Sequence, residues 1–204
     1  MNTTPDTKSE LMATGRQLFA QNGFRGTTVR AIAEAAGTNI GAVTYHFGSK
    51  ERFYNAVIEH VTAPVRERLA KTVQAPESAL DQIENYLRAT FAFLGENPDL
   101  PRLIFQQLVS GAPLPPAGHE TLKMNLERMV AFIEQGQAEG SVGPGDARLM
   151  ALSIVGQPLL LSIYRDALKE TMDVDQGDPK VRARLVETVI AFVRAALESG
   201  EGGP

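Results

Sequence analysis

The 204-residue chain contains no cysteine. That removes disulfides, thiolate nucleophiles and zinc-finger chemistry together, and it suits a reducing compartment. No basic segment followed by an apolar run opens the sequence, and no apolar run approaches the ~20 residues that cross a bilayer. The expected location is therefore cytoplasmic, with no membrane partner. Only three histidines occur, His46, His60 and His119, and they are scattered. Without an HExxH, GxSxG or phosphate-loop pattern, no catalytic residue, metal ligand or cofactor is expected.

An excess of positive charge is also lacking. With 20 Lys/Arg against 24 Asp/Glu the net charge is −4, which at first argues against a nucleic-acid partner. Residues 1–50, however, carry five basic residues (Lys8, Arg16, Arg25, Arg30, Lys50) against three acids, and the acidic surplus lies in the remainder. Screening confines charge effects to about 10 Å, so the local balance governs attraction to phosphate. The 43% apolar and 22% charged shares are those of a globular protein with a sizeable core, as one domain or two small ones.

What is present is concentrated between Thr27 and Phe53, TTVRAIAEAAGTNIGAVTYHFGSKERF. Thr27 and Thr28 stand where a hydroxyl can cap a helix beginning near residue 28. Ile32, Ala35 and Ala36 fall at helical spacing, and Gly37 permits a sharp stop. A second helix starts near Asn39 and ends before Gly48. A helix this short has little area of its own to bury and must be held by its neighbours, which suits a probe for the DNA major groove.

The run LFAQNGFRGTTVRAIAEAAG, followed by Tyr45, His46, Phe47 and then Gly48, Ser49, Lys50, Glu51, resembles the N-terminal domain of the TetR/AcrR family of bacterial transcriptional regulators, over about Ser9 to Val61. The resemblance implies an all-α homodimer, with a three-helix DNA-binding domain at residues 1–48 and an effector-binding and dimerisation domain at 49–200. It places Asn39, Ile40, Gly41 and Thr44 where family members reach base edges. Asn39 offers a donor and an acceptor, and Ile40 an apolar contact for a thymine methyl. Gly41 weakens a helix by roughly 1 kcal/mol relative to alanine, a cost consistent with close backbone approach to DNA. Thr44 departs from the tyrosine common at this place, which leaves only a short contact there. Arg30 is the candidate for a bidentate guanine contact, with a plain phosphate contact as the alternative. Thr28, Tyr45, His46 and Lys50 form a phosphate-positioning set, while Val43 and Phe47 are assigned to the core.

The rest of the chain reads as helices, about nine in all with no strand: Asp6 to Asn22, the two of the motif, Lys50 to about Thr72 with a bend at Pro64, one with Pro76 in its first turn running to Glu96, Leu100 to Val109, His119 to Glu139, Asp146 to Met172 interrupted by Pro158, and Pro179 to Glu198. Ser110–Pro116 reads as a loop and Glu201–Pro204 as a frayed end. Large apolar surfaces with a few amides make Tyr86, Phe93, Phe105, Gln106, Met124, Met129, Phe132 and Gln157 the candidate ligand pocket. Few charges fall on apolar faces, which favours a neutral or aromatic effector. The last two helices carry Leu149, Leu152, Ile154, Leu159, Leu160, Ile163, Val186, Val189, Ile190 and Val193, enough to close a four-helix bundle between two copies. The function expected is a ligand-responsive repressor released from a palindromic operator, with an activator or a non-switching architectural DNA binder as alternatives.

Overall fold

The computed structural model describes residues 7–71, 78–110 and 114–198. The expected helix start at Asp6, Pro76, part of the Ser110–Pro116 loop and the tail Glu201–Pro204 lie outside the described residues. Among those described there are ten helices and no strand: α1 Thr7–Gly26, α2 Val29–Ala35, α3 Ile40–Phe47, α4 Lys50–Lys71, α5 Ala79–Glu96, α6 Leu100–Val109, α7 Pro116–Glu139, α8 Ala147–Ile163, α9 Arg165–Met172 and α10 Pro179–Glu198. The fold is all-α.

The tenth helix arises because Asp146–Met172 is not one helix. Pro158 stays inside α8, and the chain instead turns by 70° between Ile163 and Arg165. Past the turn the residues become charged, and α9 buries none of its own side chains. The Leu161 carbonyl, which a continuous helix would have satisfied through the Arg165 amide, accepts instead from Gln176 Nε2 at 2.9 Å. Pro64 likewise lies within α4 without ending it. Helix starts also shift from those expected. α5 opens at Ala79 behind the Ser78 cap, whose hydroxyl accepts from the Asp81 amide, and α7 begins three residues before His119, at Pro116.

These elements fall into two compact units, Met1–Pro64 with Asp99–Glu120, and Val65–Pro98 with Thr121–Pro204. In the first unit Phe19 and Phe53 are fully buried, with ring centroids 5.8 Å apart, and the Phe47 ring lies tilted against Phe53 at 4.3 Å. Each such burial contributes about 1.5–3 kcal/mol. A Cβ on Gly15 would lie 2.4 Å from the Phe53 ring, so only glycine lets α1 and α4 approach this closely. Two polar ties fasten α6 to the same core. Arg16 grips Asp99 bidentately at 2.5 Å, and the Tyr54 hydroxyl donates to Gln107 Oε1 at 2.8 Å, its pKa pushed up to about 12 by burial.

The second unit packs Leu80, Ile83, Tyr86 and Leu87 of α5 against Met129, Phe132 and Ile133 of α7, Ala151 and Ile154 of α8, and Val189, Ile190, Val193 and Leu197 of α10. Arg88 pairs with Glu187, and Arg194 with Glu84, joining α5 to α10 at its edge. The residues assigned to a partner-facing surface are thereby sorted. Ile154, Val189, Ile190 and Val193 are buried within the chain, Leu149, Leu152 and Leu160 are exposed, and Phe192, 68% exposed, joins them. Periodicity marks an apolar stripe but cannot say whether its complement is in the same chain, and α8 is apolar nearly all round.

Candidate nucleic-acid interface

Two side-chain caps build the reading surface. Thr28 Oγ1 accepts from the Ala31 amide at 3.0 Å and opens α2. Asn39 Oδ1 accepts from the Ala42 amide, also at 3.0 Å, and opens α3. Each cap is worth about 1 kcal/mol, a large share for helices of seven and eight residues. Thr27, the other expected cap, is buried and turned backward, its hydroxyl donating to the Gly23 carbonyl at 2.8 Å and to that of Leu18 at 3.1 Å. It ties the motif to α1 instead. Between the two helices Gly37 has φ 64 with no atom near its missing Cβ, so backbone conformation rather than space selects glycine there.

Ile32, Ala33, Val43 and Phe47 point into the first-unit core, which fixes what the opposite faces present. Arg30, Asn39, Gly41 and Thr44 are exposed, Ile40 is half exposed, and Tyr45 is 86% exposed with its ring edge-on to His46 at 5.1 Å. Asn39 spends its side-chain oxygen on the cap, so its amide nitrogen is the group left to meet a base. The Thr44 hydroxyl donates to the Ile40 carbonyl at 3.3 Å, which occupies its donor on its own helix. Gly41 has an internal motive as well. A Cβ there would come within 2.9 Å of Asn39 Oδ1 and press on the cap.

Arg30 is held by a residue the sequence reading did not single out. Its Nε donates to Glu34 Oε1 at 2.8 Å, one helical turn along α2. The pairing keeps the guanidinium charged, through the hydrogen bond first and the charge second. Both members stand where the helix dipole disfavours them, the cation in the first turn and the acid in the last, so the pair adds little to helix stability. The hydrogen bond uses Nε and leaves the Nη1/Nη2 edge, whose two donors match guanine O6 and N7.

Lys50 opens α4 with its ammonium 4.4 Å above the Phe24 ring. This cation–π contact holds the lysine beside the end of α3, and Phe24 is a second residue missed from sequence, because the pair is 26 positions apart. Ser49 Oγ accepts from the Arg52 amide at 3.2 Å, so the remaining free amides of α4 and its dipole favour an anion there. Arg16, counted among the basic residues of this region, is spent on Asp99 and supplies no comparable charge.

The eight ligand candidates divide between the units. Tyr86, Met129 and Phe132 meet in the second-unit core, with Phe93 buried on α5 and Met124 half-buried on α7. Gln157, half-buried on α8, donates to the Ser153 carbonyl of its own helix. Phe105 and Gln106 belong to α6 of the first unit, where Phe105 is exposed and Gln106 Oε1 lies against Gly23. Helical spacing shows that a residue faces a core without showing which one. Among the described residues no three His, Cys, Asp or Glu side chains gather as a metal site.

Comparison with known proteins agrees with this geometry. Residues 11–57 match the family described as bacterial regulatory proteins, tetR family, and so lie inside the Ser9–Val61 resemblance. The HTH-type transcriptional repressor AcnR of Corynebacterium efficiens is 31% identical over 83 residues, 40% of this chain and 44% of that protein. The HTH-type transcriptional regulator RutR of Escherichia coli K12 is 31% identical over 111 residues, 52% and 50% of the two chains. The chain thus matches about half the length of these relatives. The structure of the ketosteroid transcriptional regulator KstR2 of Mycobacterium tuberculosis has the same fold, with a TM-score of 0.75 over 96% of each chain at 21% identity. The relatives are regulators, not enzymes.

Proposed function

We propose that this chain, whose residues 11–57 form a tetR-family domain, is a cytoplasmic DNA-binding transcriptional regulator, a repressor that a small, largely apolar effector releases from its operator. The observation that carries the reading is the surface of α2 and α3, where Arg30, Asn39, Ile40, Thr44 and Tyr45 are exposed on helices whose other faces are locked in a core. Exposing an isoleucine and a tyrosine on an eight-residue helix has a purpose if base edges and phosphates cover them. Residues 1–48 are the DNA-binding domain and 49–200 the effector-binding and dimerisation domain in this reading. The repressor AcnR supports the sign of regulation.

Two copies joined through the last helices present two α3 probes, and a dimer reads both half-sites together. An effector held among Tyr86, Phe93, Met129 and Phe132 needs only unequal affinity for two arrangements of the probes, typically ~1–3 kcal/mol of coupling, and the coupling is reciprocal. Selection of bound duplexes from a random pool tests the core of this reading. The expected product is a near-palindrome whose half-sites are about 34–36 Å apart or a multiple of that. Recovery of duplexes with no shared sequence would favour an architectural role instead.

A further inference from the structure

Beside its apolar core residues, α7 carries a stripe that turns polar toward the helix start. Thr121, Asn125, Arg128 and Phe132 follow one another at spacings of three and four, so they line a single stripe. Its last member is core, packed with Met129, Ile133 and Tyr86. Thr121 is buried and accepts from Arg66 Nη1 at 3.1 Å. Between them, Asn125 Oδ1 and Arg128 Nη1 are both withdrawn from solvent and have no hydrogen-bond partner among the described residues. A carbonyl and a charged N–H in that condition are costly, far more so the cation, and native cores rarely leave either unmet. Burial pushes the pKa of the Tyr86 hydroxyl up to about 12, against the lowering effects of the Thr90 hydrogen bond and, after it, of the Arg128 charge.

We infer that this stripe is the recognition site for an amphipathic small acid, with its carboxylate on Arg128, a hydroxyl or amide hydrogen on Asn125, and its apolar body against Tyr86, Met129 and Phe132. One carboxylate neutralises one guanidinium and matches its planar fork, whereas a phosphate dianion would leave charge uncompensated. Met124, half-buried on the same helix, is the pliable side chain whose displacement makes room. The effector is then anionic at one end, in place of the neutral molecule that the scarcity of charge on apolar faces suggests.

This inference rests on the second unit being the effector domain. Calorimetric titration of the full chain with decanoate, against decanol and decanamide as neutral counterparts, tests it, with parallel titration of the complex between the chain and its selected duplex. The wild-type chain is expected to bind decanoate at least about tenfold more tightly than either neutral compound. Arg128→Met should lose that preference and, without ligand, unfold at a higher temperature than wild type, because a guanidinium N–H buried with no partner among the described residues has gone. Asn125→Leu should leave decanoate binding and the preference for charge unchanged, and should weaken binding of 3-hydroxydecanoate, which carries the donor hydrogen that decanoate lacks. Equal affinity for decanoate and decanol, no binding at millimolar concentration, or an Arg128→Met chain with its preference intact would each overturn the site. Decanoate that binds through Arg128 yet leaves the duplex complex unmoved upholds the site and overturns the switch.

Discussion

At the scale of single residues the interface separates contacts that hold DNA from contacts that read it. In the proposed reading Lys50, fixed over Phe24 at the start of α4, is assigned to a phosphate, which is the same on every sequence. Arg30 is assigned to a base through the fork that its bond to Glu34 leaves unoccupied. Lys50→Ala is therefore expected to weaken binding to all duplexes alike and to lower the salt slope by about one unit, while Arg30→Ala costs about 1–3 kcal/mol and relaxes preference at one base pair in each half-site. Affinities measured on a set of singly substituted operators at two or more salt concentrations distinguish them. Uniform loss from both substitutions would remove Arg30 from the reading set. Glu34→Ala belongs to the same experiment, since an arginine released from its partner should bind any duplex more readily and discriminate less.

At the scale of elements, helices depend on their ends, and α8 shows the effect most measurably. Asp146 Oδ1 accepts from the Arg148 amide at 2.9 Å, and the Arg148 guanidinium closes on the same carboxylate. The side-chain hydrogen bonds first and the backbone amide second hold the Asp146 carboxyl at about 2, below its ordinary 3.8. A folded-state pKa below the unfolded one means that the stabilisation is complete above 3.8 and disappears as pH falls through about 2. Asn in place of Asp146 keeps the cap and loses the ion pair. The difference in melting temperature between wild type and Asp146→Asn should thus be constant near neutrality and shrink over that acidic interval. A difference that stays the same down to pH about 2 would show that the charge contributes nothing to folding.

At the scale of the whole molecule, Leu149, Leu152, Leu160 and Phe192 stand exposed on α8 and α10 while the opposite faces of those helices are buried in the second-unit core. Removing these side chains from water against a second copy is the association that the proposed operator symmetry requires. Light scattering should give the dimer mass at micromolar concentration, and Phe192→Asp should weaken association by at least about tenfold, because an interface-centre aromatic carries a large share of binding. The same substitution should leave the monomer's melting temperature nearly unchanged, since this ring contributes little to the chain's own core. A monomeric wild type, or a variant that unfolds, would assign the stripe another role.

Much of this was determined by sequence alone. The α2–turn–α3 unit was legible because its rules are local: a cap hydroxyl or amide, apolar residues at helical spacing, and a glycine at φ 64 all act within a few positions. The same locality exposed the match of residues 11–57 to the tetR family and most helix limits. What needed the tertiary structure involves partners far apart in the chain. Spacing could not show that Arg16 is consumed by Asp99, that Phe24 holds Lys50, that Gln176 satisfies the carbonyl left by the turn after α8, or that Ile154 and Val193 pack within their own chain. Nor could it reveal that Asn125 Oδ1 and Arg128 Nη1 on α7 meet no partner among the described residues. A helical period states only that a face is buried, whereas whether a buried polar atom has a partner depends on which other face arrives there.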